Sequence, residues 1–436
     1  MKKGFTLMEL LVVLAVLALV VLISIPQILG VLENSRENSR NRLYEFIISS
    51  ARLYVGDNRL GESEPILIST LCSNNYLDCP IYDPVTDEEI DGYVFSYFDK
   101  EGTGSIVYEY FEGAPDPLAP ILLSTVAGRD TSVNLYAGNG LYKHGDEYIF
   151  RGGITKTNPD GLTTSGFSND SNSGSDVNNF VKVPWESYSV GENCTTTSNN
   201  CWRIVKLNSD GSIKIIRDRN AGDQVFDNTI NTGARTINNN FTTVYGYNDL
   251  TKNTPTAGYP EEFREKSLVY ESLYGENGYY KNDLIRYKNL FTPFNICLNK
   301  ANDYKSLNNT GDLTRVTDTC DVIGKPDTQV VRPLRNKYVG LLQVEEYLNA
   351  TTESTCTRSS QFQCRNQNFL YSGQSFWLAN GRSSTSWQVR SIQNNGRAHY
   401  TTASSSIGFR PVVILKPTVI ISGGNGTAES PYVIRG

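Results

Sequence analysis

The chain has 436 residues, a formal net charge of −6 and 39% hydrophobic residues. That length exceeds one ordinary domain. The acidic balance, with no large basic patch, removes nucleic acid from the expected partners. Abundant Gly (36) and Tyr (26), together with many Asn, Ser and Thr, suit a loop-rich β structure facing water.

The chain opens with a short basic leader, Lys2 and Lys3, ending at Gly4. Phe5-Thr6-Leu7-Met8-Glu9 follows, and then an uncharged, mostly apolar run from Leu10 to Ile25, closed by Pro26. A run of this kind reads as a membrane-spanning helix. Glu9 near its start is costly in lipid and is by default functional. A secretory signal would carry a small-residue cleavage site after the apolar core. Ser24 to Val31 has no clean A-x-A.

Residues 2–11, Lys-Lys-Gly-Phe-Thr-Leu-Met-Glu-Leu-Leu, resemble the class III signal of type IV prepilins and pseudopilins. The resemblance covers about the first 55 residues. It implies cleavage by a prepilin peptidase between Gly4 and Phe5, N-methylation of Phe5, and an assembly role for Glu9 and Pro26. The cut would remove Lys2 and Lys3 and create an α-amino group on Phe5, positive at neutral pH by its reference pKa of about 8. Glu9 is then placed to pair with that amine in an apolar bundle. Breaking such a pair from one side costs roughly 3–5 kcal/mol, which makes it a register device.

Residues 5–57 read as one long helix. It turns polar from Glu33 to Arg42, with Glu37 and Arg40 spaced to meet on one face. Leu43, Ile47, Ala51 and Tyr54 then form an apolar stripe. Pro26 is expected to kink or locally melt the helix, and Gly56-Asp57-Asn58 to stop it.

Residues 58–127 read as a small α+β head. Pro65–Leu71 is a short helix or strand, and Gly92–Phe98 pairs with Ser105–Phe111 around a turn at Lys100–Gly104. Asp83, Asp87, Glu88, Glu89 and Asp91 fall in one loop. A calcium site is conceivable there, but without EF-hand spacing a solvated acidic loop is favoured. The proline-rich stretch Ala114–Pro120 is a stiff break. A linker at 128–137 leads to a distal domain at 138–436.

In the distal domain, Cys201–Leu207 and Ser212–Asp218 form a hairpin signal around Asn208-Ser209-Asp210-Gly211. Glu261–Tyr274 reads as a helix, and Tyr338–Leu348 as a strand leading into a short helix. The end holds the stretches Ser375–Leu378, Ser386–Arg390 and Gly408–Leu415. The order of Tyr-Ile-Phe-Arg-Gly, Trp-Arg-Ile-Val, Phe-Trp-Leu and Gly-Phe-Arg-Pro-Val-Val resembles an uncharacterised extracellular domain of Gram-positive bacteria. The layout is also similar to C-type-lectin-like and formylglycine-generating-enzyme-like folds. The whole is an α+β chain: a long N-terminal helix, a small β head and a loop-rich, mainly β distal domain.

The eight cysteines fall in close pairs, Cys72/Cys79, Cys194/Cys201, Cys297/Cys320 and Cys356/Cys364. An even count in an exported chain reads as disulfides, and four local bridges are the simplest arrangement. No C-x-x-C occurs, and only His144 and His399 accompany the cysteines, so no metal or cofactor is expected. No catalytic residue and no enzymatic activity are expected, since neither histidine lies in a nucleophile motif. Trp185, Trp202, Trp377 and Trp387 stack on sugars or pack in cores, and the strand-like runs around Trp202 and Trp377 favour packing there. Asn380, Arg382, Trp387, Gln388, Asn394, Asn395, Arg397, His399 and Tyr400 have the composition of an adaptable binding surface, and form the candidate ligand face. The alternative is a merely solvated loop region.

The function expected is a minor or tip type IV pilin-like subunit. It would sit in the cytoplasmic membrane as a single-pass precursor, then join other pilin subunits in an extracellular filament displaying the distal domain for adhesion to a glycan or protein. The alternatives are a pseudopilin of a secretion or DNA-uptake machine and a membrane-tethered surface enzyme.

Overall fold

The computed structural model describes residues 7–60, 64–98, 105–124, 136–138, 140–144, 146–153, 177–188, 193–194, 200–226, 268–296, 334–351, 353, 355–381 and 388–436. Side chains at 9, 19–28, 98, 124, 136–138, 144, 270, 334–335, 380–381 and 388 lie outside that description. The chain forms two compact units, Met1–Pro115 and Asp116–Gly436.

The first unit is organised by helix α1, Leu7–Asn58. It stays helical through Pro26, so the local melting expected there does not occur. Proline removes one internal hydrogen bond, and the flanking turns keep the helix going. The stop falls where Arg59 adopts φ +51° and Leu60 N–H reaches back to the Val55 carbonyl at 3.1 Å. That is a Schellman-type ending carried by an arginine instead of glycine.

The C-terminal half of α1 packs on a small head. Its elements are β1 (Pro65–Leu67), α2 (Ile68–Ser73), β2 (Gly92–Phe98) and β3 (Ile106–Glu112). The three strands form an antiparallel sheet in the order β1-β2-β3. Pro65–Leu71 is thus strand first and helix after. The β2–β3 register, Gly92 opposite Glu112 through Phe98 opposite Ile106, is the expected hairpin; its turn lies outside the described residues. Ile47 and Ala51 of the predicted stripe are fully buried against Ile66, Leu71 and Val94, with Leu43 and Tyr54 beside them. Burying a side chain the size of Ile47 or Leu71 contributes roughly 1.5–3 kcal/mol. Cys72–Cys79 ties α2 to the loop after it.

Asp83 corrects the reading of a solvated acidic loop. Asp87, Glu88, Glu89 and Asp91 are exposed, but Asp83 is buried. Its carboxylate accepts from Arg40 Nε of α1 at 2.7 Å and from Val85 N–H at 2.6 Å. Arg40 therefore reaches across to the loop, and the helical neighbour Glu37 stays exposed. Burial pushes the Asp83 carboxyl up, but the Val85 N–H, Arg40 and Thr86 N–H outweigh it and hold the pKa below 3.8. A depressed carboxyl stabilises the fold above its unfolded pKa and loses that contribution as pH falls through the lowered value. Asp83→Asn is expected to lower the melting temperature of the purified chain at pH 7. The gap from the native chain should close as pH drops below about 3.8. A gap that is the same at pH 7 and pH 3 would sink this assignment.

The second unit begins well before the expected 128–137 linker. Pro117 bridges Ile420, Leu118 N–H donates to the Val419 carbonyl at 2.9 Å, and α3 (Leu118–Ser124) buries Leu118 and Leu122. From Asp116 on, the proline-rich stretch is therefore part of the distal unit, fastened to residues 419–421.

The larger sheet holds β4 (Tyr136–Gly138), β5 (Leu141–His144), β6 (Glu147–Phe150), β7 (Phe180–Lys182), β8 (Trp202–Leu207) and β9 (Ile213–Arg217), with two C-terminal strands described below. β10 (Gly222–Val225) leads away to a second sheet. Next come α4 (Leu268–Tyr274), a π turn at Tyr280–Leu284, a 3-10 turn at Ile285–Leu290, β11 (Phe294–Ile296), β12 (Leu334–Lys337) and α5 (Val344–Asn349). The expected helix from Glu261 is described only from Leu268. Residues 338–343 are not a strand; Gly340 makes an isolated bridge to Val412 before α5 starts.

The last strands are β13 (Phe376–Gly381), β14 (Gln388–Ile392), β15 (Ala398–Thr402), β16 (Ser406–Phe409), β17 (Val412–Leu415) and β18 (Tyr432–Val433). The large sheet runs β17-β9-β8-β6-β5-β4, with β7 on β8 and β18 on β7. The second runs β10-β16-β13-β14-β15. The stretch Gly408–Leu415 crosses between the sheets, from β16 in the second to β17 in the large one. Pro411, with no N–H for a ladder, sits at the crossing.

The β8–β9 hairpin turns as its sequence requires. Gly211 takes φ +83°, and Asn208 N–H meets the Ser212 carbonyl at 2.8 Å. Every residue of β8 is buried, so this sheet is covered on both faces. Arg203, Lys206 and Lys214, polar positions in an alternating pattern, lie inside rather than in water.

Candidate functional site

Two regions carry the predicted site residues. The first is the N-terminal segment. Gly4 and Phe5 lie outside the described residues, and Glu9 and Pro26 lie on the backbone of α1. Leu7 is 80% exposed, and Leu10, Leu14, Leu17, Leu29 and Val31 are all more than half exposed. This half of α1 therefore presents apolar surface that nothing in the described chain covers. Among the described residues, no helix is long and apolar enough to cross a membrane.

Residues 1–25 match the family model of the prokaryotic N-terminal methylation motif. This supports a type IV pilin-like family. The pilin-like motif implies processing by a prepilin peptidase and assembly with other pilin subunits. No curated protein and no solved structure matches the chain.

The second region is the β14–β15 hairpin beyond the pilin-like unit. Gln393 N–H bonds the Arg397 carbonyl at 2.9 Å, Gly396 takes φ +82°, and Asn395 Oδ1 accepts from Arg397 N–H at 3.1 Å. Asn394 and Arg397 are exposed at this turn; Asn395, His399 and Tyr400 are half-buried. Asn380 lies on β13 and Gln388 opens β14, with side chains outside the described set; Arg382 and Trp387 lie outside it altogether.

Besides Gln388, the hairpin brings five predicted residues together and then divides them. Arg390 faces Tyr400 and Ser391 faces His399, so successive residues point to opposite sides of the sheet. Tyr400 covers the buried Arg390 guanidinium at 3.8 Å from its ring centre, and Arg390 Nη1 donates to the Ala398 carbonyl at 3.1 Å. Burial lowers the Arg390 pKa to about 10. Tyr400 is therefore a packing residue, and Asn394, Asn395 and Arg397 at the turn form the accessible polar group.

Trp185, Trp202 and Trp377 are each no more than 1% exposed. Trp185 is thus a core residue beside Trp202 and Phe291, not a sugar platform. Cys194–Cys201 and Cys356–Cys364 are bridged as paired in the sequence; Cys297 and Cys320 lie outside the described residues. Among the described residues, no group of three or more His, Cys, Asp or Glu is placed to hold a metal.

Sequence reasoning missed the charged interior. Lys214 Nζ meets Glu346 Oε1 at 2.7 Å, and Lys206 lies 3.8 Å from Glu147, all buried. A cavity of about 20 Å³ lined by Glu147, Lys206, Glu346 and Asn349 is large enough for one water. Burial lowers Arg203 to about 10 and Arg410 to about 9. The only sequence signal is Arg410 within Gly-Phe-Arg-Pro, a motif that stands out for its order and not for its charge.

Proposed function

We propose that this chain is a minor or tip subunit of a type IV pilus-like filament, anchored by a single pass before assembly and displaying residues 116–436 for adhesion. The observation that carries the reading is the bare apolar surface of α1 at Leu7, Met8, Leu10–Leu14, Val16, Leu17, Leu29, Val31 and Leu32, joined to a matched methylation motif. Such a surface requires lipid or neighbouring helices, because contiguous exposed apolar area marks a membrane or protein contact. The same helix buries its later stripe in its own head, so one element delivers the chain and holds its outer part.

The distal unit is non-enzymatic in this reading. Adhesion is assigned to the turn at Asn394, Asn395 and Arg397, whose polar groups, exposed at Asn394 and Arg397, suit a glycan or protein surface. The lectin-like layout rests on motif order alone. The size of the distal unit favours a minor or tip position over a repeating one. A pseudopilin in a secretion or DNA-uptake machine would share α1 but leave no subunit in a surface filament.

Shearing cells and probing the filament fraction separates the two. The chain should appear there at a small fraction of the main subunit and bind an immobilised glycan or host-protein panel through the distal unit. Retention of all the chain in the membrane fraction would reject the filament reading.

A further inference from the structure

We infer that the distal unit binds an acidic polysaccharide, bearing carboxylates or sulfates, on a basic surface where the Cys356–Cys364 loop meets the β14–β15 turn. This surface extends the adhesive turn proposed above, and its ligand class rests on that reading. Charge is segregated along the chain. Residues 354–428 contain no Asp and no Glu, against seven Lys or Arg. The rest of the chain carries 33 Lys or Arg against 46 Asp or Glu. Within the acid-free segment Arg358 and Arg397 are exposed, and Arg365 is half-buried. Packing gathers these three. Ala398 N–H donates to the Ser359 carbonyl at 2.9 Å, which brings the backbone at Arg358 beside that at Arg397. Gly396 takes φ +82°, and a Cβ there would overlap that of Arg365, so Arg365 lies directly against the turn. Among the described residues, neither Arg365 nor Arg397 has a carboxylate partner. Glu353, just before the segment, is half-buried and accepts from Thr355 N–H at 3.0 Å and Asn366 Nδ2 at 3.4 Å.

The surface is fixed before a ligand arrives, which lowers the ordering cost of binding. Cys356–Cys364 closes the loop, and Gln361 Oε1 accepts from Thr357 N–H at 2.7 Å and Arg358 N–H at 2.9 Å. The Tyr371 hydroxyl donates to the Asn394 carbonyl at 2.7 Å, and the Tyr347 hydroxyl to the Gly396 carbonyl at 3.0 Å. Phe362 of the same loop is 45% exposed, with the Arg365 guanidinium 5.7 Å from its ring centre. Guanidinium groups pair with planar carboxylates and with sulfates. The Phe362 ring offers a flat apolar face to a sugar, and the exposed Asn394 amide both donates to and accepts from hydroxyls. Duplex DNA is less well matched, since its binders commonly make roughly 6–10 phosphate contacts. The acidic remainder of the chain repels a polyanion and directs it to this end of the second sheet.

The test measures binding of the purified mature chain to immobilised heparin, polygalacturonate, neutral dextran and duplex DNA. Heparin and polygalacturonate should bind, more weakly as salt rises, dextran should not, and DNA should bind less tightly than heparin. Arg397→Gln and Arg358→Gln should each weaken heparin binding several-fold at an unchanged melting temperature. Lys288→Gln, an exposed cation outside the acid-free segment, should have no effect. Equal binding to dextran and heparin would overturn the basic surface and leave an adhesin with a neutral ligand. Tighter binding to DNA than to either polysaccharide would overturn it in favour of nucleic acid. Unchanged heparin binding in both arginine variants would also overturn it. So would binding to none of the four, and a positive host-protein panel would then leave the adhesive reading standing.

Discussion

Replacing Lys214 with methionine is expected to destabilise the distal unit by roughly 3–5 kcal/mol. Lys214 and Glu346 have 2% and 3% side-chain exposure and meet at 2.7 Å. The lysine comes from β9 in the large sheet and the glutamate from α5. Glu346 also closes the capping box that starts α5, where its Oε2 accepts from Gln343 N–H at 2.9 Å. Methionine conserves the apolar stem but takes from the buried Glu346 carboxylate its 2.7 Å partner. Combining Lys214→Met with Glu346→Gln removes the charge as well, and most of the lost stability should return. Urea melts of the purified chain read both effects. A loss under about 1 kcal/mol for Lys214→Met would mean that the pair is hydrated and not part of the interior.

Glu9→Ala is expected to leave membrane insertion and cleavage after Gly4 intact while cutting filament incorporation at least tenfold. Losing one partner of a buried pair is worth roughly 3–5 kcal/mol, and 1.4 kcal/mol already changes an equilibrium tenfold. Cleavage depends on the leader and on Phe5, and insertion depends on the apolar run, so neither needs this carboxylate. Glu9→Gln should behave nearly as badly, because it keeps the shape and loses the charge. Quantifying the variant in membrane and sheared fractions checks the prediction. Normal incorporation of Glu9→Ala would remove the register argument.

Much of the pilin-like unit was legible because its signals are local. The Leu43, Ile47, Ala51, Tyr54 stripe has helical period, and the β2–β3 hairpin has alternating strands with a glycine-rich turn. The Asp-Gly turn of β8–β9 was equally plain. What sequence could not show is which polar residues lie inside. Asp83 reads like its exposed neighbours, and only the approach of Arg40 from a helix 43 residues earlier makes it an anchor. Arg203 and Lys214 alternate with apolar residues as a half-solvated strand would, and only the second covering layer reveals that they are buried. Tyr400 has the right composition for a ligand face, yet its ring is spent on Arg390. In each case the missing information is a long-range partner, which periodicity does not encode.

The central claim is that the N-terminal segment is processed and then assembled. Its most direct test is the intact mass of the chain recovered from sheared surface filaments. The account predicts a polypeptide that begins at Phe5, carries one added methyl group and lacks eight thiol hydrogens. A chain that still carries Met1–Gly4, or that begins beyond the apolar run, would contradict it.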